Sequence, residues 1–549
     1  MGDDTSTPKG RYPIAWFALY LLLAFGGRYL AGSHLDGYGS YEDEPAHMVT
    51  ASLMRSYVTG PDPIHPIEYV GDYYLHFPKV GVGQWPPVLH FFLGGLLIPL
   101  GISRISFLLG TCLIAALAAF ATRALARHCG LPRPLPGLLG ILFLALPLVQ
   151  NLSATAMTEL LLAAEGAFAV ACYGRYMTTG RNRDALLFGM WTVLAVLTKG
   201  SGIGLVLVPI LTPLIAGIPK RMFSRGTVAA GIAVGVVGLA WYTATLEYSQ
   251  ATWAGVGRTA SEYSLSAGRY YSRELVMILG SIVSFLAVVG LTVGLLDAST
   301  RNANATCLAW LIGLGGCYLF IRTGIEMRHL AVVLPIAVAL AGRGSVCVWH
   351  VLGWRRNRQA LPAAGLLVVG FSLQAFAPIA PNHRGFREAL GWALEDPALS
   401  TAPWLVCSDA SGEGLIVSEA VHLDPRHRKL QVLRSSKILA HDDWLGHGYK
   451  QRFDSEESLG AFLKQVPVGL VFLDLSLWRR HYFAHHESIR HYLENHPEHF
   501  QEVKRVDMLR NGVWYPQSLV VYRQVGFEDL PRNPVRLEDV LHPKEPDAQ

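Results

Sequence analysis

Eleven apolar segments recur along the first 380 residues, and they limit the possible folds more than any other feature of this sequence. Most of them approach the roughly 20 residues that an α-helix needs to cross a bilayer. The chain is 51% apolar and only 16% charged, which is too little charge to cover several water-soluble domains. We therefore expect an α-helical polytopic membrane protein with about 11 transmembrane helices. The expected spans are residues 14–31, 103–124, 137–153, 160–177, 185–198, 200–218, 227–246, 274–296, 305–321, 329–349 and 361–380.

The apolar stretch 86–101 is left out of this count. Its 16 residues would rise about 24 Å as a helix, less than the roughly 30 Å of the hydrocarbon core, so we expect an interfacial or re-entrant helix. Leaving it out places the later arginine and lysine clusters on the same side as the basic N-terminus, as the positive-inside rule requires. The N-terminus is then cytoplasmic, whereas loop 32–102, loop 247–273 and the tail lie outside.

The tail, residues 381–549, differs in composition from the rest of the chain. Its 20 Lys and Arg are outnumbered by 24 Asp and Glu, and short β-rich apolar runs alternate with polar helical stretches. The apolar runs are residues 404–407, 430–433, 468–473 and 518–522. This pattern predicts a small extracytoplasmic α/β domain after a transmembrane domain of residues 1–380.

Charge and cysteine usage exclude several other functions. The excess basic charge lies among the membrane loops and not on a soluble face, which disfavours nucleic-acid binding. The seven cysteines form no CxxC pair, so neither a disulfide framework nor a zinc site is expected. Histidines crowd the segment 481–499, but no acid or thiol at ligand spacing completes a metal-binding set with them.

Two groups of acidic residues are candidates for chemistry. Glu42, Asp43 and Glu44 follow Tyr41 shortly after the first span. Acids are common just outside a membrane, but this run belongs to a loop rich in aromatics and prolines, which favours a folded cap. Glu159 stands alone at the outer mouth of a span, near a depth where burying an acid costs about 2.5–3.5 kcal/mol. It indicates either a functional group or a structural pairing with a neighbouring arginine.

Cationic residues form the second set of candidates. Lys199 lies at a glycine-rich outward turn, where backbone amides stay open to an anion. Arg328 and His329 lie in an outward loop, and a basic residue there needs a partner, which a lipid-linked phosphate would provide. Interfacial snorkelling is the alternative for these cations. Arg258 and Tyr270 lie in the outward loop 247–273, in a mixture of residues suited to sugars or phosphates.

In these residues the sequence resembles the integral-membrane glycosyltransferases of the GT-C class, in the branch with protein O-mannosyltransferases, aminoarabinose transferases and RgtA-like enzymes. The order and spacing of the motifs carry the resemblance, which runs through about the first 380 residues. The motifs are Asp43-Glu44, Pro86-Pro87, Arg104, Thr158-Glu159, Leu197-Thr198-Lys199-Gly200 and Arg328-His329-Leu330 followed by Pro335. Trp85 stands where many relatives have a lysine before the double proline, and Lys79 comes six residues earlier.

The resemblance implies a bacterial inner-membrane enzyme that moves a hexose or pentose from a polyprenyl-phosphate donor to an extracytoplasmic lipid, glycan or protein, with inversion. An inverting transfer needs a base for the acceptor hydroxyl and cations for the departing phosphate. Asp43 is the expected base, and Glu44 and Glu159 orient the base or the acceptor. We expect the donor phosphate to contact Lys199, Arg328, His329 and Arg258, and the sugar or acceptor to contact Tyr41, Trp85 and Tyr270. The sequence leaves open whether Asp43 and Glu159 bind a Mg²⁺ or Mn²⁺ ion between them, because two carboxylates suit a hard cation.

Two other classes of protein compete with this interpretation. A transporter of polyprenyl lipids or solutes would also carry charges inside a helical bundle. However, the sequence has no paired inverted repeats, and loop 32–102 is long for a transporter. A receptor that binds a ligand through its tail would need one span, not eleven. We therefore favour the transferase.

Overall fold

Helices make up most of the chain before the tail. The computed structural model describes residues 11–60, 65–247, 259–351, 365, 383–426, 430–441, 448–466, 468–477 and 483–529. The helices up to residue 351 are α1 (Arg11–Leu30), α2 (Glu44–Thr59), α3 (Pro66–His76), α4 (Val88–Leu100), α5 (Arg104–His128), α6 (Leu135–Ala145), α7 (Pro147–Ser153), α8 (Glu159–Thr179), α9 (Asn182–Val196), α10 (Val208–Ile215), α11 (Arg225–Ala244), α12 (Ala260–Leu296), α13 (Arg301–Phe320) and α14 (Leu334–Val351). Short 3-10 helices occur at Ser33–Leu35, Gly200–Leu207, Pro219–Phe223 and Met327–Val333.

Six helical segments are long and apolar enough to cross a membrane, among the residues that the structure describes. They are Pro13–Leu30, Arg104–His128, Arg225–Ala244, Ala260–Leu296, Arg301–Phe320 and Met327–Val351. The pair α6 and α7, which bend by 72° between them, would make a seventh. The expected number of eleven is therefore not confirmed: segments 160–177, 185–198 and 200–218 are helical but shorter or more polar, and 361–380 lies outside the described residues except for residue 365.

Burial separates the inner helices from the outer ones. In α8, 17 of the 21 residues are buried, including the acids Glu159 and Glu165. In α11, by contrast, one face exposes large apolar side chains such as Val228, Ile232 and Val236. An apolar face that no other helix covers suits contact with lipid, because the hydrocarbon chains are apolar and contain no water. The helix that carries Glu159 is therefore an interior helix.

Two helices depart from the length of a simple span. Helix α4 has 13 residues and would rise about 20 Å, too short to cross the hydrocarbon core. Segment α12 has 37 residues, but its backbone leaves helical geometry at Gly280 (φ 73°, ψ 159°), so two helices join there across a kink. It begins with a capping box in which Thr259 accepts from the Glu262 N–H. Residues 260–273 are thus helical, although we had treated them as part of a loop. The capping box was the overlooked signal.

The tail folds around a six-stranded mixed sheet, as the sequence predicted. Its strands are β1 (His383–Arg384), β2 (Pro403–Cys407), β3 (Gln431–Arg434), β6 (Leu470–Asp474), β7 (Phe500–Arg510) and β8 (Val513–Gln524), and a separate pair consists of β4 (Ala440–His441) and β5 (Lys450–Gln451). The strand order is β1-β7-β8-β6-β2-β3, with β6, β2 and β3 parallel. The helices are α15 (Phe386–Leu394), α16 (Ala410–Leu423), α17 (Ser435–Ile438), α18 (Glu456–Gln465) and α19 (Ala484–Asn495).

The chain divides into two compact units. The helical unit contains Met1–Ala31, Gly83–Leu89 and Leu108–Ile379, and the sheet unit contains Gly32–Val82, His90–Phe107 and Ala380–Gln549. Most of the long loop, which the sequence analysis assigned to the transmembrane domain, therefore clusters with the tail.

Specific contacts within the sheet unit hold the loop against the tail domain. The Ser411 hydroxyl donates to the Gly39 carbonyl at 3.0 Å, and His76 Nδ1 lies 2.7 Å from the Leu430 carbonyl oxygen. A Cβ added at Gly414 would lie 2.8 Å from Pro45 Cγ, so α16 packs closely on the start of α2. The tail domain thus supports the segment that carries the acidic run.

Close packing of α12 on α14 gives a prediction about stability. A Cβ at Gly290 would overlap the backbone carbonyl of Leu340, and the backbone of a packed helix can shift only slightly. We expect Gly290→Ala to cost about 1–3 kcal/mol through overpacking. Gly235→Ala on the exposed side of α11, where nothing lies within 4 Å, is the matched control. Thermal unfolding of the purified protein in detergent measures both, and an unchanged unfolding temperature for Gly290→Ala would contradict the packing.

Candidate active site

An ion cluster around Glu159 is the central polar feature of the helical unit. Glu159 is the first residue of α8, and its side chain is fully buried. The Lys199 ammonium donates to Glu159 Oε1 at 2.6 Å, and Arg328 Nε lies 3.5 Å from the same oxygen. An unpaired carboxylate at this depth would be strongly destabilised, so the two cations are what keep Glu159 ionised. The contact with Arg328 is the arginine pairing that the sequence analysis gave as the structural alternative for Glu159.

The backbone around Lys199 places its side chain. Lys199 comes directly before the 3-10 helix Gly200–Leu207, in which Gly204 lies so close to α13 that a Cβ would be 2.7 Å from the Gly313 backbone. The neighbouring Thr198 hydroxyl donates to Glu165 Oε1 of α8 at 2.9 Å. The glycine contact and the threonine hydrogen bond fix the turn from both sides. The backbone contacts on both sides of this turn therefore hold Lys199 in a position from which its side chain reaches Glu159.

Trp85 belongs to the same part of the helical unit. It lies half-buried just before Pro86-Pro87, and two residues later the Val88 N–H donates to the Leu197 carbonyl at 3.0 Å. That bond ties the double-proline segment to the turn that ends in Lys199. Trp85, one of the residues predicted to contact the sugar or the acceptor, is thus anchored near Lys199, a predicted phosphate-binding residue.

Arg328 and His329 are positioned by the 3-10 helix Met327–Val333, and both are buried. Arg328 Nε also lies 2.7 Å from Glu326 Oε2, a carboxylate that is 38% exposed. His329 Nδ1 lies 2.9 Å from the Tyr271 hydroxyl, and its carbonyl accepts from Tyr318 at 3.1 Å. The sequence analysis named Tyr270, but it is the neighbouring Tyr271 that contacts His329. The helical register of α12 decides between them, and we had not predicted helix there.

The acidic run lies in the sheet unit. Asp43 is the residue before α2 and is half-buried, and Glu44 is buried and accepts from the Ser40 N–H at 3.0 Å through Oε2. The Asp43 carbonyl accepts from the His47 N–H at 3.1 Å, and His47 Nδ1 lies 2.9 Å from His90 Nε2. Tyr41 is half-buried, and its carbonyl accepts from the Glu44 N–H at 3.1 Å. Arg258, the remaining predicted residue, lies outside the described residues.

A buried lysine, Lys79, which the sequence analysis noted only for its position before Trp85, lies near the acidic run. Lys79 is 5% exposed and donates to the Ala410 carbonyl at 3.3 Å. Burial and the nearby Arg434 lower the pKa of Lys79 to about 7, although Glu413 and Asp43 act in the opposite direction. The pKa of Lys79 is lowered because the folded loop buries the side chain, and the spacing of residues along the chain does not predict that burial.

The structure also bears on the metal alternatives. Glu159 is flanked by Lys199 and Arg328, and this positive surrounding opposes a divalent cation. The residues at Glu159 therefore do not fit a Mg²⁺ or Mn²⁺ site shared with Asp43. In the tail, ligand atoms of His496, Glu498 and His499 lie within 4.8 Å of one another and could hold a metal ion. Glu498 supplies the acid that the sequence analysis did not recognise; His481 lies outside the described residues.

The lowered pKa of Lys79 predicts how stability depends on pH. Between pH 7 and 10.5 the unfolded chain keeps this lysine protonated while the folded protein holds it neutral, so the free energy of unfolding rises with pH, by at most about 1.4 kcal/mol per pH unit. Lys79→Met should flatten this rise, whereas Lys464→Met on the exposed face of α18 should not. Unfolding temperatures of the purified protein from pH 7 to 9.5 measure the slope. Equal slopes in the wild type and Lys79→Met would refute the assignment.

No protein-family model and no curated protein matches the sequence. Solved structures do match. ArnT from Cupriavidus metallidurans has a TM-score of 0.54 at 12% identity, over 95% of this chain and 100% of that chain. Its structure bound to undecaprenyl phosphate has a TM-score of 0.52 at 12% identity, over 95% and 99%. The archaeal oligosaccharyltransferase AglB from Archaeoglobus fulgidus, in complex with an inhibitory peptide and a dolichol-phosphate, has a TM-score of 0.52 at 13% identity, over 97% and 78%.

At such low identity the similarity defines the fold of the chain. It extends over nearly the whole length, including the helices before residue 351 and the sheet of the tail. The apolar helices and the matches together identify an integral membrane protein. The fold predicted from the motifs is confirmed: this chain has the fold of the GT-C glycosyltransferases.

Proposed function

We propose that this protein is a glycosyltransferase that moves a sugar from a polyprenyl-phosphate donor to an acceptor outside the cytoplasm. The buried cluster of Glu159, Lys199 and Arg328 carries the proposal. A carboxylate that holds two cations inside a helical bundle is costly to build, and intramembrane ionisable residues generally mark a functional site. The fold, shared with enzymes that were solved with undecaprenyl phosphate or dolichol-phosphate, supports a donor of this class.

In this proposal the cations stabilise the leaving phosphate. Lys199 is 24% exposed, whereas Glu159 is fully buried, so the lysine can contact a ligand from the side away from the carboxylate. An ammonium group has three donors, and only one is needed for Glu159. Arg328 is shared with the partly exposed Glu326, which a donor phosphate would displace. Negative charge that develops on the phosphate is then met by fixed cations in a water-poor site.

Asp43 acts as the base in the proposed reaction. Its neighbour Glu44 is buried and accepts from the Ser40 N–H, whereas Asp43 is only half-buried. The Asp43 carboxylate takes the proton of the acceptor hydroxyl, and the hydroxyl oxygen bonds to the anomeric carbon. The bond from this carbon to the donor phosphate breaks on the opposite face, so the configuration inverts. The carrier phosphate leaves with the electron pair.

The remaining predicted residues take supporting roles in this proposal. His329 and Arg258 help to hold the donor phosphate, and Tyr41, Trp85 and Tyr270 contact the sugar or the acceptor. The transferred sugar is a hexose or a pentose, and the acceptor is a lipid, a glycan or a protein. We propose that the N-terminus lies in the cytoplasm and the sheet domain in the periplasm, because this orientation places the basic loop clusters inside.

Loss of the two acids tests the proposed function. We expect Asp43→Asn to lower transfer of labelled sugar from a polyprenyl-phosphate donor about 10²–10⁴-fold, because no base remains for the acceptor. Glu159→Gln should lower transfer at least about tenfold, because Lys199 and Arg328 lose the charge that positions them. Purified variants are compared at a temperature at which each one is folded, as its own unfolding temperature shows.

Asp184→Asn, a half-buried acid that pairs with the exposed Arg175, is the matched control and should retain wild-type transfer. Wild-type transfer by both Asp43→Asn and Glu159→Gln would reject the site. If the wild-type protein binds the donor but transfers no sugar to any acceptor, the transporter becomes the better explanation.

A further inference from the structure

A cavity of about 260 Å³ lies within the sheet unit, where β1 leads into α15. The volume is sufficient for several water molecules or a small oxyanion. Apolar side chains such as Leu35 and Leu415 cover part of its wall. Its charged and titratable lining consists of Arg104, His383, Arg384, Arg387, Glu388 and Glu419. None of these residues belongs to the proposed transfer machinery.

Within the described part of the chain, two of the lining arginines form no ion pair with an acid. Arg104 pairs with the buried Glu419. The guanidinium groups of Arg384 and Arg387 form no ion pair or hydrogen bond with the residues that the structure describes. Other arginines of the tail domain are paired with carboxylates, namely Arg434, Arg490, Arg505, Arg510 and Arg523. Arg384 and Arg387 differ in this respect from these five arginines.

Buried polar atoms without partners are concentrated in the same wall. Within the described residues, both ring nitrogens of His383, Nε of Arg384, Nε of Arg104 and Oε2 of Glu419 are buried without a hydrogen-bond partner. His383 is 1% exposed, and its backbone is held in place because its N–H donates to Asp36 Oδ1 at 2.6 Å. A buried polar group that makes no hydrogen bond loses the free energy of its hydration, so it destabilises the fold. A ligand that accepts hydrogen bonds would satisfy the donors of this set, Nε of Arg104, Nε of Arg384 and one ring nitrogen of His383, but not Oε2 of Glu419.

The electrostatic balance of the cavity favours an anion. Burial and the nearby Arg510 lower the pKa of His383 to about 4, so its ring is neutral at pH 7 and donates through one nitrogen. The three arginines then outweigh the carboxylates of Glu419 and Glu388. Glu419 is already engaged by Arg104, and Glu388 is exposed.

The start of α15 adds backbone donors to the cavity. Gly385 precedes the helix with φ 103°, and a Cβ there would overlap the Asp507 carbonyl, so only glycine fits. No side chain caps the helix, which leaves the first N–H groups of its nine residues available. The partial positive charge of a helix N-terminus also favours an anion.

We propose that this cavity binds an oxyanion, a phosphate or carboxylate group carried by the acceptor, with Arg384 and Arg387 as the charged ligands and His383 as a neutral donor. That the oxyanion belongs to the acceptor rests on the proposed function, whereas binding of an oxyanion to the cavity does not. The sheet domain then recognises an acidic substrate directly, and its contact with the acidic run couples that recognition to the site of transfer.

Binding of inorganic phosphate and of acetate to the purified full-length protein tests the proposal. Unfolding temperatures are recorded at rising anion concentration and constant ionic strength, with chloride as the balance. We expect a saturable rise in the wild type, and an apparent Kd that is raised at least about tenfold in Arg387→Gln and in Arg384→Gln. Arg387 is exposed, so its variant is expected to fold even if Arg384→Gln does not. Arg505→Gln, on the exposed pair with Glu502, is the matched control and should bind as the wild type does.

The anion that binds more tightly identifies the group that the cavity recognises. Repeating the titration in nanodiscs that contain phosphatidate distinguishes a lipid headgroup from a free phosphate, since the headgroup would already occupy the cavity and abolish the shift. Absence of saturable binding of either anion in detergent, or wild-type affinity in both variants, overturns the proposal. Sugar transfer is not the readout, so failure of this proposal and failure of the proposed transferase are distinguishable.

Discussion

The burial of one carboxylate, Glu159, inside a helical bundle is the interaction on which the helical unit depends. A charged group in that position is stable only when counter-charges and hydrogen bonds replace its water. Lys199 and Arg328 come from segments far apart in sequence, and each is presented by a 3-10 helix and not by a regular span. The irregular backbone of these two segments is therefore what brings the cations to the acid.

In the sheet unit, the tail domain supports the long loop whose acids we propose to lie outside the membrane. Helix α2, which begins at Glu44, packs on α16 of the tail, and Lys79 donates to the tail at Ala410. A loop supported in this way can hold Asp43 in one place, which a base requires. The tail is thus better understood as the scaffold of the acidic run than as an independent appendage, and its own cavity extends that role toward substrate recognition.

The sequence predicted the parts of this protein that depend on local pattern. Periodicity and composition predicted the membrane helices and the strands β2, β3, β6 and β8, and an isolated acid drew attention to Glu159. It could not predict contacts that depend on tertiary packing: the pairing of Glu159 with Lys199, the choice of Tyr271 over Tyr270, or the burial of Lys79. The expected eleven spans stay unconfirmed, because six helical segments of the described residues, or seven with the bent pair, are long and apolar enough to cross a membrane.

The most direct test of the central claim is the affinity of the purified protein for undecaprenyl phosphate, measured without any transfer reaction. If Glu159 holds Lys199 in place to bind the donor phosphate, Lys199→Met should raise the Kd at least about tenfold. Lys220→Met, which removes a lysine from another short 3-10 helix of the same unit, should leave the Kd unchanged. An unchanged Kd for Lys199→Met, in a variant that unfolds at the wild-type temperature, would contradict the assignment of this cluster to the donor.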